Sequence, residues 1–142
     1  MADALYPKTK AQFMKAAIDL SSSSLTVRAM LLNGTGEGDY TYSAAHEFLS
    51  DVPAGARVKA SNPLTGKAVN LTTGAFDSDD PTVEAVPGGG DDVERLILYI
   101  DTGVAGTSRL IFYKDSGITT VPFTPDGSDI RLLVHANGWF VL

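Results

Sequence analysis

Apolar residues fall along this chain in short runs, with the 14 glycines and 7 prolines spaced between them. That rhythm predicts an all-β chain. One stretch departs from it. Phe13, Ala17 and Leu20 recur at helical spacing, with Met14 and Ile18 beside them. A helix is therefore predicted over about residues 10–20, capped by Thr9, with Pro7 just ahead and the four serines Ser21 to Ser24 ending it. Its single apolar stripe suits a cover over the open end of a sheet sandwich. Its few lysines do not suit a membrane-surface helix.

Strands are predicted after the helix. The run 25–32 (LTVRAMLL) is dense in branched side chains and stops at the turn dipeptide Asn33-Gly34. Gly34, Gly36 and Gly38 mark a loop, 40–42 a short strand, and Ser43 caps a helical turn through Leu49. Further candidates are 56–60, 68–72, 82–86, 95–100, 109–114, 119–123, 130–136 and 139–142. The runs 95–100 (RLILYI) and 109–114 (RLIFYK) match in order and are read as a hairpin of twin strands. Trp139, Phe140, Val141 and Leu142 close the sequence on apolar residues, so this last strand is expected to be buried in the fold or paired at an interface. The fold class expected is all-β: a β-sandwich or jelly roll of about eight or nine strands with one N-terminal α-helix. It is expected as one domain over 1–142, with the sandwich from residue 25 onward.

Composition narrows the function. The 142 residues are 44% hydrophobic and 20% charged, an ordinary globular balance. The absence of cysteine excludes disulfides, a thiol nucleophile and thiolate-held metals. No run approaches a membrane span. Met1-Ala2-Asp3-Ala4 places an acid where a signal peptide has a basic region, so no secretory signal is expected. A net charge of −6 argues against a nucleic-acid partner. The acids are concentrated: residues 74–101 carry eight of them against the single base Arg95. Such a segment is a docking face or a set of solvated loops.

Candidate chemistry is sparse. His46 and His135 are the only histidines, and no Gly-x-Ser-x-Gly occurs, so a catalytic triad is not expected. Asp77, Asp79 and Asp80 could hold calcium or form a polar turn before Pro81. The 34–38 glycines lack the Lys-Ser/Thr of a phosphate loop. Tyr40 and Tyr42 share one side of an extended segment, and Tyr99 and Tyr113 hold matching places in the twin runs. Such tyrosines either pack between sheets or anchor a partner or a sugar. No catalytic set, cofactor or metal is expected, and the profile suits a structural or binding protein.

Several segments carry a resemblance. They are the start through Lys8 followed by Ile18-Asp19-Leu20, and above all 40–58 (YTYSAAHEFLSDVPAGARV). Leu64–Lys67, Gly74–Asp77, Leu98–Gly103 and Thr124–Gly127 add to it. Together they resemble small proteins encoded among the virion structural genes of tailed bacteriophages, most of all a capsid cement (decoration) protein of short-tailed phages. The resemblance implies a non-enzymatic protein on the outer capsid surface that bridges neighbouring major-capsid subunits. The implied partners are the major capsid protein and the chain itself, as a homodimer ahead of a homotrimer, with no nucleic acid and no membrane. The alternative is a tail, baseplate or head-fibre component with host-surface carbohydrate as its ligand. Interface residues are expected at Trp139, Phe140, Val141, Leu142, Tyr40 and Tyr42. An acidic docking segment is expected at Asp77, Asp79, Asp80, Asp91 and Asp92.

Overall fold

The computed structural model describes residues 3–33, 40–90, 92–116 and 118–142. In chain order the elements are β1 (Ala4–Leu5), α1 (Pro7–Met14), β2 (Val27–Asn33), β3 (Arg57–Ala60), β4 (Ala68–Val69) and β5 (Ala75–Asp77). Then come β6 (Thr82–Val83), β7 (Val93–Ile100), β8 (Leu110–Lys114), β9 (Ile130–Arg131) and β10 (Phe140–Val141). Two 3-10 turns, Leu49–Asp51 and Ala54–Ala56, precede β3. Among the described residues the protein is mainly β, with one α-helix and several antiparallel sheets.

The longest strands, β2 and β7, lie side by side in a five-stranded sheet of order β1-β8-β7-β2-β3. Their sequences read as nearly unbroken apolar runs because the sheet is covered on both faces. On one face Val27, Ala29, Leu31, Leu96 and Leu98 pack toward Phe76, Val83, Leu132, Trp139 and Phe140. These covering residues come from two small sheets, β10-β5-β4 and β6-β9, and their flanks. On the other face Met30, Leu32, Ile97, Leu110 and Tyr113 lie under Tyr6, at the β1–α1 junction, Tyr40, and Leu49, Val52 and Ala56 from the two 3-10 turns and the link between them.

The twin runs do form a hairpin pair. Because the strands are antiparallel, the matching tyrosines do not face each other: Tyr113 opposes Ile97 and Tyr99 opposes Leu110. A bulge at Ile111 turns both Ile111 and Phe112 to the small-sheet side.

Other expectations require correction. The helix spans Pro7–Met14, not 10–20. Thr9 lies inside it, is buried, and bonds the Leu110 carbonyl rather than capping. The helix stops because Ala16 adopts φ 54°, with Ala17 N–H donating to the Gln12 carbonyl and Ala16 N–H to that of Phe13. That is a Schellman termination made without glycine. It turns the chain so that Ile18 and Leu20 reach the core instead of continuing the helical stripe. Residues 40–42 and 119–123 are not strands, although Phe123 makes a single bridge to Val93. The helical turn predicted at 43–49 is replaced by the 3-10 turn Leu49–Asp51. The short strands β1 and β5 were not expected. The loop predicted at 34–38 lies outside the described residues.

Candidate interaction surface

The sheet β10-β5-β4 is built by two close approaches. Gly138, at φ 91°, brings the chain against β5, where the Trp139 amide donates to the Phe76 carbonyl at 2.7 Å. The β4–β5 turn is held by the Asn70 carboxamide oxygen, which accepts the amides of Thr72 (2.8 Å) and Thr73 (3.1 Å). Packing then sorts the expected C-terminal interface residues. Trp139 is buried, with its indole N–H donating to Ser78 Oγ at 2.8 Å. Phe140 is buried and stacks on Phe112, ring centroids 5.0 Å apart. Val141 and Leu142 are 55% and 64% exposed. The expected four-residue interface thus divides: two side chains build the core and two face solvent.

The sequence reading missed three further exposed apolar residues. Met14, Val69 and Leu71 are also exposed, Leu71 to 97%. An apolar residue inside the turn sequence Asn70-Leu71-Thr72-Thr73-Gly74 was the available signal for Leu71. Between the end of α1 and this sheet lies an open groove of about 310 Å³, walled by Phe13, Ile18, Leu20, Val69, Phe140 and Leu142 among others.

Asp77, Asp79 and Asp80 lie at and just beyond the end of β5. Asp77 accepts the amide of Ser78, Asp79 accepts the Thr65 hydroxyl at 3.1 Å, and Asp80 pairs with Arg131 at 3.3 Å. Asp92, exposed, accepts the Thr124 hydroxyl at 2.7 Å. Asp91 lies outside the described residues. Among the described residues no three His, Asp or Glu side chains come together as a metal-ligand set, so the calcium alternative for Asp77, Asp79 and Asp80 finds no geometry here.

The tyrosines take the packing alternative. Tyr40 is buried, so its ring offers no face to a partner or sugar, a correction of the expected interface. Its hydroxyl is bonded to Tyr6 (2.7 Å) and to Nδ1 of His46 (2.8 Å), and burial pushes it up to about 12. Tyr42 is half-buried and donates to the Leu5 carbonyl at 3.2 Å. Beside them Glu47 joins α1 to the residue before β8 through Lys8 (3.2 Å) and Arg109 (3.1 Å), and these cations hold its carboxyl below the usual range against burial. Asp51 is lowered by accepting the amides of Glu47 and Phe48. Both histidines are engaged locally, His46 with Tyr40 and His135 with the Asn137 amide.

Among the described residues no helix is long and apolar enough to cross a membrane. No family model matches the chain, and no curated protein matches it.

Proposed function

We propose that this chain is a structural component of a phage particle that cements the outside of a capsid by binding the major capsid protein and bridging its subunits. One observation carries the reading: among the described residues, a small sheet with no further strand paired to either edge has Val69, Leu71, Val141 and Leu142 exposed in or next to its strands, and Val69 and Leu142 line an apolar groove. Apolar side chains gathered on a sheet with free edges mark a surface made to be covered. The resemblance of residues 40–58 and the other segments to virion proteins of tailed phages supplies the particle. The layering of a large sheet on smaller ones supports a sandwich-type fold for it, the jelly-roll form included.

The physical task is modest. A shell filled with DNA is under outward pressure, and added contact area across subunit joints resists it. Free strand edges can extend a neighbouring sheet through backbone hydrogen bonds. Many copies on one lattice convert weak contacts into avidity. The acidic segment, with Glu84 and Asp92 exposed, docks on a basic capsid patch, so attachment weakens as salt rises.

Copy number per particle tests the reading, measured by quantitative mass spectrometry of purified virions against the major capsid protein. Hundreds of copies are expected. A handful or a few dozen would move the protein to the tail, baseplate or head fibre. Absence from the particle would overturn the structural reading entirely.

A further inference from the structure

Strand β3 begins on an arginine that the surrounding fold does not satisfy. Among the described residues Arg57 enters no hydrogen bond and no ion pair, and its Nε is buried without an acceptor. A buried guanidinium N–H with nothing to bond is costly, and it stands out in a chain with 17 acids to 11 bases. Arg109 also has a buried, unbonded nitrogen, Nη1, but its charge is met by Glu47 at 3.1 Å and its guanidinium lies over the Phe48 ring.

The backbone aims Arg57 at particular neighbours. Leu31 opposes Lys59 and Leu32 opposes Arg57, so Val58 is an extra residue on β3. Such a bulge re-aims the side chains beside it. Here it sets Arg57 opposite Leu32, on the sheet face that carries Tyr99. Arg28 opposes Tyr99 directly across β2 and β7. Burial, with Asp101 adding to it, pushes the Tyr99 hydroxyl up to about 12 against the pull of Arg28 and Arg57. That hydroxyl is therefore a donor at neutral pH, and among the described residues it has no partner. Arg28 donates from Nε to Asp101 Oδ2 (2.7 Å) and from Nη1 to the Ser61 carbonyl (2.8 Å). Asp101 is engaged in turn by Arg28 and by the Gly103 amide (2.8 Å). The donors of Arg57 and Tyr99 thus stand together beside a carboxylate that is already engaged.

We propose that Arg57, Tyr99 and Arg28 bind an oxyanion, a carboxylate or a phosphate. Nε and one Nη of Arg57 form the fork that takes two of its oxygens. The Tyr99 hydroxyl donates a third bond. Arg28, held in place by Asp101, adds positive potential. A carboxylate comes from an acidic side chain of a partner protein, and a phosphate from solution. None of the three residues lies on β4, β5 or β10, so the site is separate from the apolar surface proposed for the capsid, and either can fail without the other.

Arginine Nε–H groups give their own signals in proton–nitrogen correlation spectra of the full chain, and that of Arg57 is the one missing from Arg57→Lys. Inorganic phosphate and acetate are titrated separately, with ionic strength held constant by chloride. A saturable downfield shift of the Arg57 Nε–H at millimolar anion is expected. Tyr99→Phe keeps the ring and weakens binding roughly threefold to tenfold. Arg57→Lys keeps the charge without the fork and weakens it roughly tenfold or more, read from the backbone amides of β3 and β7. Those same amides show whether each variant is folded, and the wild-type titration decides even if neither variant is. Tighter binding of phosphate assigns the site to a free phosphate, and acetate binding at least as tightly assigns it to a protein carboxylate. A shift that never saturates with either anion, or that chloride alone reproduces, overturns the inference. Equally tight binding by folded Arg57→Lys overturns it too.

Discussion

Asp3 shows how much one carboxylate can fasten. Its oxygens accept Lys114 Nζ (2.9 Å), the amides of Asp115 (2.9 Å) and Ser116 (3.2 Å), and the Ser116 hydroxyl (3.2 Å), tying the start of the chain to the end of β8. Burial works to raise its pKa, but these donors outweigh burial and the group sits below the ordinary Asp value. A carboxyl depressed in the folded state contributes stability above its unfolded pKa and loses it as pH falls through the folded value. Asp3→Asn is therefore expected to cost about 1–3 kcal/mol at neutral pH, with the difference from wild type shrinking below about pH 4. Urea denaturation at the two pH values checks this; an equal cost at both would contradict it. Trp139 gives a second residue-scale expectation. Trp139→Ala should cost about 3–5 kcal/mol, because a large side chain leaves the core and Ser78 Oγ loses its donor. Its emission in the native protein should be blue-shifted and move red on unfolding. A substitution that left stability within about 0.5 kcal/mol would mean the indole is not packed inward.

At the scale of elements, backbone conformation decided what side-chain periodicity could not. The apolar spacing of Phe13, Ala17 and Leu20 fits one helical face, yet the chain leaves the helix at Ala16, because Ile18 and Leu20 gain more by packing on the core. The sequence signal was real as hydrophobicity and misleading as period, since Leu20 is buried but not helical. Gly138 is the converse case. A glycine just ahead of an apolar strand suits a turn, and the structure adds a steric reason. A Cβ there would collide with the Phe76 carbonyl oxygen, which cannot move away because it accepts the Trp139 amide. Gly103 has a similar φ, 85°, but open space around its missing Cβ. Gly138→Ala should therefore lower stability by more than about 2 kcal/mol, and Gly103→Ala by only about 1 kcal/mol. Thermal melts of the two variants side by side decide it, and equal effects would remove the steric argument.

For the whole molecule, the central sheet is the rigid part and the small sheets are its lightly held cover. β2 and β7 pair over seven positions and are buried on both faces, whereas β4, β6, β9 and β10 are two residues each. Amide hydrogen exchange should be slowest in β2 and β7 and markedly faster in β4 and β10. Uniform protection across both would contradict this division. The arrangement places the surface proposed for contact on the least self-sufficient sheet, where a neighbouring subunit would add what the chain alone does not supply.

The β character, the strong central strands and the 95–114 hairpin were determined by the sequence itself. Dense runs of branched residues bounded by turn residues have few other ways to bury themselves. Even the unbroken character of β2 and β7 carried the information that both faces would be covered. Tertiary structure alone decided which apolar residues would stay outside. Trp139, Phe140, Val141 and Leu142 look equivalent in sequence, and only tertiary packing buries the first two, Trp139 through its bonds to Phe76 and Ser78 and Phe140 against Phe112, and leaves the last two exposed. Tyr40 and Tyr42 looked like a matched pair until a covering segment with no strand of its own buried one of them. The groove beside α1 joins residues 13–20, 69–76 and 140–142. No local rule brings those stretches together; only the packing of α1 and the small sheet against the central sheet does.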